Sequence, residues 1–277
     1  MSAKINLSLL ITSCLFVQPL TGVSLTEDVQ TLSYEHDKFS TQPREHFRKF
    51  EAFVLSFDSR KDGVTLGTPK WVSYELRRSV GSPSGGNRRP RKWSTDPELF
   101  HDRIAPNDDS YRNSGFSRGH LCMKSHAARI SKEADRESHT VLNACPQVPG
   151  MNGGIWSTIE HETSKWADKY GCIWITTGPI FFEDEPKNWI GDDGEVPVAV
   201  PDAFFKIAAR LDGDNLKVLS FVVPMYGGHK HHNFGSDVTP FLTSVDVIER
   251  LTGLDFFSTV PEDKQEVIER VIETETW

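Results

Sequence analysis

Hydrophobic positions fall into short groups with different spacings along the chain. Thr68-Pro69-Lys70-Trp71-Val72-Ser73-Tyr74-Glu75-Leu76 alternates well enough to predict a strand. Cys172-Ile173-Trp174-Ile175-Thr176-Thr177 is a short apolar run ended by Gly178-Pro179, expected to be a buried strand. Phe204 to Leu211 and Leu216 to Pro224 flank Asp212-Gly213-Asp214-Asn215, a hairpin signal. Between residues 154 and 170, Ile155, Trp156, Ile159, Trp166, Ala167 and Tyr170 recur at helical spacing. Ser244 is placed to cap a helix over Val245–Leu251 that Gly253 stops, and Pro261 to Ile272 reads as a last helix. Residues 79–90 have loop composition. No internal repeat or linker interrupts residues 65–260. The expected fold class is therefore α+β: one mixed domain with a mainly antiparallel central sheet flanked by helices.

The start of the chain reads differently. Lys4 precedes an apolar run from Ile5 to Val17 that is too short to span a bilayer, and the small residues Thr21, Gly22 and Ser24 follow. This predicts a signal peptide over residues 1–24 and a secreted or periplasmic protein. A second reading takes Ile11-Thr12-Ser13-Cys14 as a lipobox, with a lipoprotein anchored at Cys14; against it, Leu15-Phe16-Val17 continues the apolar run. Residues 25–64 are expected to be a loosely ordered leader, because Leu25 to Phe47 is polar without clear period, and residues 65–277 the folded domain. No other segment is apolar enough for stable membrane insertion. Export permits disulfides, but Cys122, Cys145 and Cys172 are an odd set whose pairing is not readable. No Cys/His spacing suggests zinc.

Composition is ordinary for a globular chain of 277 residues: 37% hydrophobic and 25% charged. The net charge of −8 argues against unspecific coating of nucleic acid by the whole surface. It does reverse locally: Arg77, Arg78, Arg88, Arg89, Arg91 and Lys92 crowd one stretch against Glu75. That stretch is either a solvated loop or a phosphate-contacting rim. Trp93 and Tyr111 are either stacking surfaces or core. In Ser117-Arg118-Gly119-His120 a titratable base stands near a fixed cation, a pairing suited to phosphate chemistry, although a lone histidine is more often structural. Asn152 is either a helix cap or a metal ligand through its amide oxygen. Glu160 follows eight residues later, about 80° further round a helix, as a solvated charge or a partner in that site. Gly227-Gly228-His229-Lys230-His231-His232 is read as an exposed loop rather than a transition-metal site. His126, His139 and His161 have no partner that the sequence names.

Taken in order, Arg91-Lys92-Trp93-Ser94-Thr95-Asp96-Pro97, Ser117-Arg118-Gly119-His120-Leu121, Leu142-Asn143-Ala144-Cys145-Pro146-Gln147, Asn152-Gly153-Gly154-Ile155-Trp156 and Glu160 resemble the DNA/RNA non-specific endonucleases, the ββα-metal nucleases related to endonuclease G. Trp71-Val72-Ser73-Tyr74, Thr177-Gly178-Pro179 and Leu251-Thr252-Gly253-Leu254-Asp255 look like that family too, so the resemblance covers residues 65–262. It implies a ββα-metal finger motif and hydrolysis of DNA and RNA with little sequence specificity, leaving 5′-phosphate ends. By position it implies His120 as general base, Asn152 as the direct protein ligand of Mg²⁺ (Mn²⁺ being an alternative ion), and Glu160 as the acid that holds a water of the metal's shell. Arg91 and Arg118 match the arginines around the scissile phosphate, and Asn143 matches a position that orients the site. One departure stands out: the family commonly has Asp before Arg-Gly-His, and this chain has Ser117, which touches the orientation of Arg118. A catalytically inactive nucleic-acid-binding protein of the same fold is the alternative. The sequence leaves room for a homodimer and does not identify an inhibitor protein.

Overall fold

The computed structural model describes residues 34–58, 65–81, 92–225 and 237–277. In chain order the strands are β1 (Arg48–Lys49), β2 (Val54–Phe57), β3 (Pro69–Arg77), β4 (Ser117–His120), β5 (Ala144–Gln147), β6 (Cys172–Ile180), β7 (Trp189–Ile190), β8 (Val198–Ala199), β9 (Ala203–Asp212), β10 (Asn215–Pro224) and β11 (Leu242–Thr243). The helices are α1 (Pro97–His101), α2 (Lys124–Ala127), α3 (Lys132–Glu137), α4 (Pro149–Met151), α5 (Ser157–Tyr170), α6 (Val245–Thr252) and α7 (Glu262–Arg270). The central sheet has seven strands in the order β1-β2-β3-β6-β9-β10-β11, and every neighbouring pair is antiparallel. Two small ribbons, β4–β5 and β7–β8, stand apart from it.

Both faces of the sheet are covered, which explains the unbroken apolar runs. Successive side chains of a strand point to opposite faces. On β9, Phe204 and Ala208 join one core together with Tyr74, Ile173, Ile175, Trp156 and Ile159. Their neighbours Phe205, Ile207 and Ala209 join a second core with Trp71, Trp174, Val245, Ile248 and Phe256. The first core lies under α5 and the β4–β5 ribbon; the second lies under α6. Each fully buried large aliphatic or aromatic side chain in these layers contributes about 1.5–3 kcal/mol.

The expected elements appear with shifted ends. The hairpin forms in full as β9–β10, with Asn215 opposite Asp212. Ser244 caps α6 by accepting from the Val247 N–H at 3.3 Å, and Gly253 closes it in the left-handed region. β6 runs past Gly178-Pro179 to Ile180. Gly178 marks a close approach rather than an end, since a Cβ there would sit 2.5 Å from the Lys70 carbonyl oxygen and 2.7 Å from Phe205 Cε1.

The leader expected over residues 25–64 is corrected in its described part. Residues 48–57 supply β1 and β2, and Phe53, Leu55 and Phe57 are fully buried. The polar stretch before them is held by tertiary hydrogen bonds that leave no periodic trace. Ser73 Oγ donates to the His36 carbonyl at 2.8 Å, Trp71 Nε1 donates to the Pro43 carbonyl at 2.8 Å, and Gln42 bridges to Asp255. Residues 1–33 and 59–64, including Cys14 and the segment read as a signal peptide, lie outside the described residues. No helix among the described residues is long and apolar enough to cross a membrane.

Candidate active site

A short antiparallel ribbon followed by a helix builds the site. β4 pairs with β5 in the register Ser117↔Gln147, Arg118↔Pro146, Gly119↔Cys145 and His120↔Ala144. The chain then passes through α4 and a kink at Gly154, within Asn152–Trp156, into α5. This is the ββα unit. It is held by packing and by Asn143, which is fully buried at the start of β5. Asn143 Oδ1 accepts from the Cys122 N–H at 2.8 Å, and its Nδ2 donates to the carbonyls of Cys122 at 2.9 Å and Ser138 at 3.0 Å. One amide thereby ties the exit of β4 to the end of α3. Gly119 is required where it stands: a Cβ would fall 2.0 Å from Gln147 Oε1 and 2.5 Å from Gln147 Cγ. Gln147 is itself fully buried and neither end of its amide has a hydrogen-bond partner.

His120 ends β4 with its ring against Trp93, centroids 4.5 Å apart, and edge-on to His139 at 5.1 Å. The residue keeps a partly exposed edge, while its Nε2 is buried without a partner. Burial first, then the nearby His139 and Lys124, press its pKa down to about 3. The imidazole is therefore a neutral proton acceptor at physiological pH. His139 is fixed in turn, because its Nδ1 faces the Asp135 carbonyl at 3.0 Å and a carbonyl can only accept.

Asn152 is helical in backbone and partly exposed, and its side-chain amide has no hydrogen-bond partner among the described residues. It does not cap a helix through that side chain. An amide oxygen left free among the described residues fits a hard, hydrated divalent cation, which is content with few protein oxygens. Glu160, one turn into α5, is buried, and burial drives its pKa up to about 7 against the pull of the Lys206 ammonium. Lys206 comes from β9, is fully buried, and lies 4.4 Å from the centre of the Trp156 ring. Desolvation lowers the Lys206 pKa, with Glu160 opposing.

Arg118 reaches sideways from β4. Its Nη2 donates to the Asp108 carbonyl at 2.7 Å, and its Nε lies 2.6 Å from Asp108 Oδ1, an ion-pair contact without hydrogen-bond alignment. Where Ser117 replaces the family's usual Asp, an acid from another loop thus holds this arginine. Arg91 lies outside the described residues, as do Arg88, Arg89 and the histidines at 229–232. Two members of the basic stretch are occupied elsewhere: Arg77 pairs with Glu75 at 2.6 Å, and Arg78 donates to the Asp168 carbonyl at 2.8 Å. Tyr111 is core, its hydroxyl donating to the Ala144 carbonyl at 3.2 Å, whereas Trp93 stands beside His120. Cys122, Cys145 and Cys172 are buried, and no disulfide forms among the described residues. His126 bridges the Tyr74 hydroxyl and Ser164 Oγ inside the core.

Sequence reasoning missed His139 and Lys206. Nothing local marks His139. Lys206 did leave a signal, since period-two alternation sets it between Phe204 and Ala208 on the face that turns to the site.

A neutral histidine closing β4 and an amide free of hydrogen bonds among the described residues at the entry to α5, both carried on a ββα unit packed against an antiparallel sheet, suit a metal-dependent nuclease. The comparisons with known proteins agree. The family model of the DNA/RNA non-specific endonucleases matches residues 32–263, and the chain belongs to that family. It is 30% identical over 215 residues to mitochondrial endonuclease G of Bos taurus, covering 76% of this chain and 68% of that one. It is 32% identical over 209 residues to mitochondrial nuclease 1 of Schizosaccharomyces pombe, covering 70% and 62%. In structure it resembles a chain of the crystallised EndoG/EndoGI complex, which concerns the mechanism of EndoG inhibition, with a TM-score of 0.69, 25% identity, and coverage of 83% of this chain and 93% of that one.

Proposed function

We propose that the protein is an exported, Mg²⁺-dependent endonuclease that cuts DNA and RNA with little regard to sequence, using His120 as general base. The observation that carries this reading is the neutral imidazole at the end of β4, its Nε2 without a hydrogen-bond partner among the described residues, on a ribbon that leads in sequence to Asn152. Asn152 would hold Mg²⁺, with Glu160 supporting its hydration; the ion would supply positive charge against the negative charge that builds on the phosphate. His120 accepts a proton from water at a ring nitrogen while the water oxygen attacks phosphorus in line with the 3′-oxygen. The P–O3′ bond breaks and the departing 3′-oxygen takes a proton from solvent, leaving a 5′-phosphate and a 3′-hydroxyl. Trp93 and His139 pack the ring into one orientation. Arg118 is assigned to the phosphate, with Asp108 limiting its reach, and Arg91 is assigned to the same rim. No base-reading group is called for, which accords with low sequence specificity.

The test uses plasmid DNA and RNA. Both are expected to be degraded with Mg²⁺ and spared with EDTA, and His120→Ala is expected to lose about 10²-fold or more in rate, the usual contribution of a general base. If His120→Ala cuts as fast as wild type, the assigned base is wrong. Gel-shift binding without cleavage in Mg²⁺ would favour the inactive, nucleic-acid-binding alternative.

Export is proposed from residues 1–24 alone. The relatives named above are mitochondrial, but mitochondrial leaders are amphipathic and arginine-rich, and this segment has only Lys4 as a charge. N-terminal sequencing of the protein recovered from the medium or periplasm should find cleavage near Gly22 or Ser24. A lipid-modified Cys14 would instead establish the lipoprotein.

A further inference from the structure

On the face of the sheet away from the ββα unit, α6 and α7 bring together carboxylates that nothing in the described structure neutralises. Asp246 and Glu249 stand on α6 and Glu269 reaches in from α7, and one carboxylate oxygen from each lies within 4.8 Å of the other two. Asp255, in the loop after α6, adds to the negative field on Glu249 and Glu269. Glu249 gives one oxygen to the Phe256 N–H at 2.9 Å, and Gln265 is turned to Asp255 and to the Phe256 carbonyl. The neighbouring cation of α7, Arg270, is engaged by Glu266.

The feature that lifts this above an ordinary acidic patch is Glu269. It is only 7% exposed, and its Oε1 is buried without a hydrogen-bond partner among the described residues. Burial, then the neighbouring acids, push its pKa up to about 7, against contact from the Gln265 amide. A shielded carboxylate among like charges is unfavourable unless a cation joins it. The donor set selects among cations. Ca²⁺ takes about six to eight oxygen ligands and accepts several carboxylates in a flexible geometry. Mg²⁺ keeps several waters and usually takes only one or two carboxylates.

We propose that Asp246, Glu249 and Glu269 form a Ca²⁺ site that clamps α7 to α6, separate from the nuclease site. Val245 and Ile248 of α6 belong to the second core, while Trp156 and Ile159 belong to the first, so the two sites occupy opposite faces of the sheet.

The full mature chain, stripped with EDTA and carrying Asn152→Ala to disable the nuclease site, is dialysed against ⁴⁵CaCl₂ at neutral pH. One ion per chain is expected, with a dissociation constant on the order of 10⁻⁴ to 10⁻³ M. Glu269→Gln and Asp246→Asn should each weaken that binding tenfold or more. In thermal melts, CaCl₂ should raise the Tm of the parent by several degrees and leave Glu269→Gln unmoved. Without calcium, Glu269→Gln should melt at or above the parent, because it removes an uncompensated charge. No binding by the parent, or equal binding by Glu269→Gln, overturns the site. A shift with MgCl₂ as large as that with CaCl₂ overturns the choice of ion. Should Glu269→Gln fail to fold by circular dichroism, Asp246→Asn, whose side chain is more exposed, decides the question on the same readouts.

Discussion

The β9–β10 hairpin and the β4–β5 ribbon are both antiparallel pairs, yet they hold together for different reasons. β9 and β10 are each ten residues long and stay in register from Asn215↔Asp212 to Pro224↔Ala203. A local turn starts the pair and buried side chains on both faces finish it. β4 and β5 are four residues each, and α2 and α3 intervene between them in the chain. Their register depends on a few buried polar and steric devices: the Asn143 amide, the Gly119–Gln147 fit and the Tyr111 hydroxyl. The hairpin is scaffold and tolerates local damage. The ribbon is the site, so damage to its supports should reach the chemistry.

Asn143→Ala should show the difference most strongly. It strands the Cys122 N–H and leaves two carbonyls short of a donor, at about 1–3 kcal/mol for each buried group left unsatisfied, so a loss of about 3 kcal/mol or more is expected in urea unfolding. The rate of the remaining folded protein should fall with it. Leu219→Ala, in the fully buried part of β10, should cost a comparable ~2–5 kcal/mol, but folded molecules below the new Tm should keep their wild-type rate. Equal losses of rate in the two variants would erase the distinction between scaffold and site.

A smaller effect lies in pH. The native pKa of His120 is depressed from 6.5 to about 3, so the imidazole stays neutral as pH falls below 6.5. The His120 ring should therefore titrate below pH 6.5 when followed by NMR of its C2 proton; a titration at or above that value would contradict the buried, cation-flanked setting of the ring. The same shift has a stability consequence. As pH falls from about 6.5 toward 3, the unfolded chain takes up a proton that the native ring refuses, and stability declines. Burial lowers His126 and His36 as well, with the same sign.

The smallest change expected is from Asp108→Asn. The Arg118–Asp108 pair is partly exposed, so its loss should alter stability by only ~0.2–1 kcal/mol. Freed from its acid, Arg118 should bind phosphate better and lower KM by about threefold at most, the equivalent of ~0.6 kcal/mol. An increase in KM would mean that Asp108 aims the arginine rather than restraining it.

The same contrast explains what was legible in the sequence. The hairpin, α6 and β6 announce themselves through turn residues, a serine cap and apolar runs, all local signals. The β1–β2 region did not, because Ser73, Trp71 and Asp255 order the polar stretch before it, and all three lie far along the chain. At the site, His120, Asn152 and Glu160 were readable as an ordered motif set. The burial that tunes them was not. By position alone Glu160 was either a solvated helix charge or a partner in the site, and only the folded sheet shows Lys206 and Trp156 near it. Asp108 gave no sign that it would hold Arg118, since that contact is made by the loop before β4.

The most direct test of the central claim is chemical rescue of the base. His120→Ala, assayed with Mg²⁺ on plasmid DNA, should lose about 10²-fold or more in rate. Added imidazole should then restore cleavage in proportion to the concentration of its neutral form, while leaving wild type unaffected. Cleavage by His120→Ala at the wild-type rate without imidazole would show that the proton goes elsewhere.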